Sequence, residues 1–170
     1  PKYKTDEITA PFFGLVYVAL MLSFLYQTRM VPIEGKNTPI VYFLIFICSW
    51  GCDTCAYAVG MLIGKHKMAP ILSPKKSIEG GIGGIVGAAL LGAIYGMIFD
   101  LDIRGCVILC AAGGAVSQIG DLAASAIKRN HNIKDYGHLI PGHGGILDRF
   151  DSVIFTAPII YALTLLVFSR

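Results

Sequence analysis

Charge is what this 170-residue chain has least of: Asp, Glu, Lys and Arg together make up 15%, against about 25% in an ordinary soluble domain. So little polar surface could not cover a globule in water, which argues against a soluble protein. Excess charge of one sign is also missing. A formal charge of +3 excludes a nucleic-acid binder that relies on bulk basicity, so no nucleic acid is expected as a partner. The five cysteines are an odd number, which leaves no complete pairing and excludes a disulfide-stapled secreted module. Cys48, Cys52, Cys55, Cys106 and Cys110 all fall in apolar runs and read as small buried side chains. Cys52 and Cys55 lack the second pair that a zinc site would need. A charged n-region, a short apolar stretch and a small-residue cleavage site are absent from the beginning, so no cleavable signal peptide is expected. Because Pro1 and not Met stands first, the expectation is a piece of a longer protein.

What the chain has in abundance is apolar residues, at 55% with a mean hydropathy of +0.66, and glycine, with 20 residues. Five charge-poor runs approach membrane-spanning length: residues 11–27, 40–64, 80–99, 103–127 and 153–168. Crossing the hydrocarbon takes about 20 residues. The predicted fold is therefore all-α, a polytopic integral membrane bundle of about five transmembrane helices forming one domain over 1–170. If the helices alternate, residues 1–10, 65–79 and 128–152 share one side and carry Lys2, Lys4, Lys65, Lys67, Lys75, Lys76, Lys128, Arg129, Lys134 and Arg149. The other side has only Arg29, Lys36, Arg104 and Arg170. Ten basic residues against four place the two long basic loops in the cytoplasm, with Asp100-Leu101-Asp102 as a tight turn on the far side. The third run holds the small-residue pairs Gly80/Gly84, Gly83/Gly87 and Gly92/Gly96, which predict close helix packing in lipid. A nucleotide-binding glycine motif is not formed there: Val86 interrupts the pattern, and no strand is expected before it.

Carboxylates inside a bilayer are costly, so each one is a candidate functional residue. Two qualify, Asp53 in the second run and Asp121 near the end of the fourth. Asp121, Ser125 and Lys128 follow at i, i+4 and i+7 and share one helix face. The plainer alternative for Asp121 is a helix-end carboxylate paired with Lys128, and for Asp53 a hydrogen bond to a neighbouring helix. The loop predicted over 128–152 gathers three kinds of group that phosphate chemistry uses. Lys128, Arg129, Lys134 and Arg149 neutralise phosphate oxygens; Gly142-His143-Gly144-Gly145 turns backbone N–H groups toward an anion, with His143 as a donor. Asp148 and Asp151, together with Asp121, offer hard oxygen ligands suited to Mg²⁺. His131, His138 and His143 do not have zinc spacing. A second basic element, Ser73-Pro74-Lys75-Lys76, reads as a turn that projects both lysines toward the same phosphates or toward anionic lipid.

The stretch Ser125 to Asp151 runs S-x-x-K-R-x-x-x-x-K-D and then P-G-H-G-G-x-x-D-R-x-D without a gap. It resembles the C-terminal signature of the phosphatidate cytidylyltransferases, also called CDP-diacylglycerol synthases. Asp53-Thr54-x-Ala56-Tyr57 and Ser73-Pro74-Lys75-Lys76-Ser77-x-Glu79-Gly80 resemble the same family, so the likeness covers Asp53 to Asp151. The chain departs from the bacterial members in length, since these carry additional N-terminal helices, and it corresponds to their C-terminal catalytic part.

The resemblance implies transfer of the cytidylyl group of CTP to phosphatidate, giving CDP-diacylglycerol and pyrophosphate for phospholipid synthesis. It also implies a homodimer in the cytoplasmic membrane, with the site facing the cytosol. It makes Asp121 and Asp148 metal-binding carboxylates, with Ser125 in the same site, for Mg²⁺ and a second cation such as K⁺. Asp53 and Asp151 join the polar centre, while Lys75, Lys76, Ser77, Lys128, Arg129, Lys134, His143, Gly144, Gly145 and Arg149 face the phosphates. Alternatives are a CTP-dependent enzyme acting on an ether-lipid phosphate or a polyprenol, and an ion-coupled transporter. The D-G-x-x-A-R pattern of CDP-alcohol phosphotransferases is absent from the sequence.

Overall fold

The computed structural model describes residues 4–32, 39–137 and 144–168. Positions 138–143, with His138, Gly142 and His143, therefore lie outside the described residues, as do Lys2, Lys36 and Arg170.

Among the described residues, five helices are long and apolar enough to cross a membrane: Glu7–Arg29, Ile40–Ile63, Ile78–Ile98, Ile103–Asn130 and Leu147–Phe168. The chain is a polytopic helical bundle. Its first span consists of α1 (Thr5–Gly14) and α2 (Met21–Arg29) joined through a π-helical stretch, Leu15–Leu20. The second consists of α3 (Pro39–Phe46) and α4 (Cys52–Ile63), again with a π-helical link, Ile47–Gly51, just before Asp53. The last three spans are the single helices α5 (Ile78–Ile98), α6 (Ile103–Asn130) and α7 (Leu147–Phe168).

The helix ends carry their own local signals. Ser77 caps α5, its Oγ accepting from the Gly80 N–H at 3.1 Å, and Glu79 sits in the positive first turn. Asp102 caps α6, accepting from the N–H groups of Arg104 at 3.2 Å and Gly105 at 2.9 Å. Lys128 and Arg129 complement the negative end of the same helix. The tight turn between α5 and α6 is present: Asp100 adopts φ 52°, and the Leu101 N–H closes on the Gly96 carbonyl at 2.9 Å.

Two boundaries differ from the sequence expectation. The last helix begins at Leu147, six residues before the predicted 153, so Asp148, Arg149 and Asp151 belong to its first turns and not to a loop. The charges in that turn lower its hydropathy without breaking the helix, because Asp148 and Asp151 fall on one face and find partners there. The predicted Ser-Pro-Lys-Lys turn is instead a strand, β2 (Ser73–Ser77), which pairs antiparallel with β1 (Lys67–Ala69) in a two-stranded hairpin. Pro74 is tolerated because such a small sheet has only edge strands.

The glycine stripe of α5 serves two neighbours. A Cβ on Gly84 would stand 2.8 Å from both the Ala56 Cβ and the Cys52 carbonyl oxygen, and one on Gly80 would stand 2.7 Å from the Ala56 oxygen. The first half of α5 thus lies directly against α4. A Cβ on Gly92 would meet Cys110 and the Cys106 carbonyl at 2.6–2.9 Å, so the second half lies against α6. Small cysteines fill these seams: Cys48, Cys52, Cys106 and Cys110 are buried, Cys55 is half-buried, and all are free thiols. The apolar core, with Leu44, Cys48, Leu109, Val153 and Ile160, lies among the second, fourth and fifth spans. A buried polar link ties the second span to the fifth, with Ser49 Oγ 3.1 Å from Thr156 Oγ1.

Candidate active site

The acidic and basic residues converge around the last turns of α6 and the first turns of α5 and α7, with Asp53 added from the first turn of α4, and they form two ion-paired groups. In the first, strand β2 carries Lys76 to Asp121 on α6, and the ammonium donates to the carboxylate across 45 residues of sequence. Both side chains keep about a quarter of their surface exposed, 26% and 23%. They line a cavity of about 440 Å³ with Asp53 and Lys75, whose remaining wall includes Ala56, Tyr57, Met61 and Met68. That volume is in the range of ligand pockets. Gln118 braces the wall, donating from Nε2 to the Gly81 carbonyl at 2.8 Å.

In the second group, Lys128 at the end of α6 donates to Asp148 Oδ1 at 3.0 Å and reaches Asp151 Oδ2 at 3.5 Å. These three side chains are only 10%, 3% and 11% exposed. Asp148 also gathers the loop before its helix. Its Oδ2 accepts from the backbone N–H groups of Tyr136 at 2.8 Å and Gly145 at 2.9 Å. Gly144 must be glycine here, since it adopts φ +80° and a Cβ would sit 3.0 Å from Asp148 Oδ2. Tyr136 lies below Lys128, whose Nζ is 5.2 Å from the ring centroid, and its hydroxyl reaches the Ala124 carbonyl at 3.4 Å. Burial pushes the Tyr136 phenol up from its ordinary range, so it stays a neutral donor.

Several expectations change. The Asp121–Lys128 pair, the plainer alternative for Asp121, is not formed: Asp121 takes Lys76 and Lys128 turns to Asp148 and Asp151, because the early start of α7 brings those carboxylates nearer. The Gly145 N–H faces Asp148 and not an outside anion. Arg129 donates from Nη1 to the Ile133 carbonyl at 3.0 Å, away from the cluster, and Lys134 is exposed beyond it. Ser125 is half-buried one turn beyond Asp121. Arg149 is exposed, and its carbonyl accepts from Trp50 Nε1 at 3.1 Å. Residues without an assigned role prove to hold the site together, notably Tyr136, Gln118 and Glu79. The carboxylate of Glu79 takes the Lys65 N–H at 3.1 Å and the His66 ring Nδ1 at 2.5 Å, fixing the hairpin to α5. In the sequence only the glycine that follows Tyr136 and the spacing of Glu79 from Lys76 hinted at this.

The donor set suits a hard divalent cation in kind. Among Asp53, Asp121, Asp148, Asp151, Lys76 and Lys128 the carboxylates outnumber the ammonium groups four to two, and Mg²⁺ needs one or two carboxylates beside substrate oxygens. Asp121 is the more open of the two expected ligands. Asp148 has three of its roughly four acceptor positions filled, with one left on Oδ1.

Fold and site together define an integral membrane protein with paired lysines and aspartates grouped toward one end of its bundle. The sequence pattern of the cytidylyltransferase family matches residues 1–167, and the chain belongs to that family. It is 38% identical to the phosphatidate cytidylyltransferase of Bacillus subtilis over 163 residues, covering 95% of this chain and 60% of that relative. It is 40% identical to the enzyme of the same name from Staphylococcus epidermidis over 152 residues, covering 88% and 56%. With that of Staphylococcus aureus strain COL it shares 39% over 155 residues, again covering 88% and 56%. The chain thus spans less than two thirds of the length of these relatives.

Proposed function

We propose that this chain carries the site that transfers the cytidylyl group of CTP to phosphatidate, forming CDP-diacylglycerol and releasing pyrophosphate. The observation that carries the reading is the cavity lined by Lys75, Lys76, Asp53 and Asp121 together with the apolar Ala56, Tyr57, Met61 and Met68. The charged groups suit phosphate oxygens and the apolar ones suit a lipid. Grouping of the polar residues toward one end of the bundle favours an enzyme over a transporter, whose polar residues would recur along the spans. The shared name of the relatives supports the same substrates. The excess of Lys and Arg on the side that bears the site supports a cytosolic orientation, and the resemblance supports a homodimer, for which particle mass in detergent is the check.

A phosphatidate oxygen attacks the α-phosphorus of CTP, one P–O bond forms, the α–β bridge breaks, and its electron pair leaves with pyrophosphate. Phosphate monoesters are largely dianionic near neutral pH. The chain's task is therefore charge neutralisation and alignment, not proton removal. Lys76 leaves Asp121 for a phosphate oxygen, while Lys128, still paired with Asp148 and Asp151, contributes its charge from the buried side. Asp121, Asp148 and Ser125 would hold a Mg²⁺ ion, which would supply Lewis-acid neutralisation of the phosphates when bound.

The test is pyrophosphate release by the purified chain in detergent, with CTP, phosphatidate and Mg²⁺ each omitted in turn and Asp121→Asn as the control. Release that needs all three and is lost in the variant is the expected result. Release independent of phosphatidate would overturn the assignment of the acceptor.

A further inference from the structure

The first span contributes no residue to the predicted site, yet one of its side chains ends beside the cluster. Tyr17 lies in the π-helical stretch Leu15–Leu20, and π-helical turns occur frequently at functional sites. Its ring stacks on Phe13 with centroids 5.0 Å apart and meets Phe155 edge-on at 5.9 Å. Phe155 is one helical turn beyond Asp151, so the phenol is delivered to the level of the carboxylates. Asp151, Asp121 and Tyr136 are all within its electrostatic reach. Even so, Tyr17 Oη is buried without a hydrogen-bond partner among the described residues.

A buried hydroxyl left unpaired is costly and rare in a folded chain, and it calls for a reason. The neighbouring carboxylates take their hydrogen bonds elsewhere, Asp121 from Lys76 and Asp151 from Lys128 and the Ser152 N–H at 2.8 Å, and none of their oxygens bonds the phenol. A phosphate seated beside them brings acceptors to it.

We propose that Tyr17 is a phosphate ligand, its hydroxyl donating to a substrate phosphate oxygen on the same buried side as Lys128. The inference rests on the cytidylyltransfer reading. The phosphate is that of the lipid or one from the nucleotide, and the two are separable by experiment.

Tyr17→Phe keeps both ring contacts and deletes only the hydroxyl. Wild type and variant are compared in detergent by steady-state kinetics, with CTP and phosphatidate varied in turn, and by thermal unfolding with and without inorganic pyrophosphate. The variant is expected to unfold at no lower temperature than wild type, because an unpartnered hydroxyl has been removed. Its kcat/KM is expected to fall about tenfold or more, the scale of a lost hydrogen bond to a charged acceptor. A fall confined to phosphatidate identifies the lipid phosphate as the acceptor. A fall confined to CTP, with a smaller stabilisation by pyrophosphate, identifies the nucleotide. Unchanged constants for both substrates would overturn the proposal, as would a loss of activity matched by a loss of stability. If wild type shows no CTP-dependent turnover, the cytidylyltransfer reading fails and pyrophosphate decides for Tyr17. Equal stabilisation of the two proteins would then refute the ligand role, and weaker stabilisation of the variant would uphold it.

Discussion

The two lysine–aspartate groups are built from the same chemistry and differ in what surrounds them. Lys76 and Asp121 meet at the wall of a cavity, and one partner rides on a hairpin. Lys128, Asp148 and Asp151 meet between two helices and are nearly closed off from the surface. An ion pair with solvent access contributes little to stability, so its members can exchange partners at small cost. A buried pair is different, because removing one member strands the other without water. The first group is therefore suited to meeting substrate, while the second both holds the start of α7 in place and stores charge beside it.

The most disruptive test of this contrast is Lys128→Met, which leaves Asp148 and Asp151 buried without their cation. A loss of about 3–5 kcal/mol is expected, read as a lower unfolding midpoint in detergent. Wild-type stability in this variant would show that the second group is no more structural than the first. Lys76→Met should behave in the opposite way, with stability changed by no more than about 1 kcal/mol and pyrophosphate release reduced by about 100-fold or more. A smaller but still clear effect is expected from Gly84→Ala. Its methyl would sit 2.8 Å from the Ala56 Cβ, and overpacking of this kind costs about 1–3 kcal/mol. Because it displaces α4, which carries Asp53, it should weaken nucleotide binding along with stability.

The smallest effect is expected from Tyr136→Phe, which loses a 3.4 Å hydrogen bond and less than about 1 kcal/mol at neutral pH. Its pH dependence is the more telling measurement. Burial pushes the folded-state phenol up, so wild type retains this contribution below the unfolded value of about 10 and loses it as pH rises through the folded one. The stability gap between wild type and variant should narrow or reverse at alkaline pH. A gap that stays constant from neutral to alkaline pH would place Tyr136 in water.

The spans, the turn at Asp100 and the packing role of the glycines were legible because each rests on a local signal: run length, a capping Asp102, small residues four apart. Asp53 and Asp121 stood out as candidates because carboxylates are conspicuous in apolar runs, and Asp148 and Asp151 because they stand among the basic residues that follow the fourth run. The pairing was not. Lys76 reaches Asp121 only because β1 and β2 set its direction, and nothing in Ser73-Pro74-Lys75-Lys76 indicates a strand whose partner is three residues long. The beginning of α7 was hidden for a related reason. Asp148-Arg149-Phe150-Asp151 resembles solvated loop until Lys128, two residues before α6 ends at Asn130, is seen to be its partner. The orphan hydroxyl of Tyr17 left no trace, since a tyrosine in an apolar run is ordinarily a packing residue.

The divided glycine stripe of α5 also bears on biogenesis. Gly80 and Gly84 are matched by α4, which precedes them in the chain, and that seam can close as soon as the third span has entered the bilayer. Gly92 is matched by Cys106 and Cys110, residues that follow it. Until the fourth span is inserted, the second half of the stripe is bare backbone facing lipid. Asp53 can thus be seated before Asp121 arrives, and delivery of α6 both seals α5 and brings the carboxylate that Lys76 is waiting to meet. In this order of arrival, the cavity has all its lining residues once the fourth span is in place, before α7 joins the bundle.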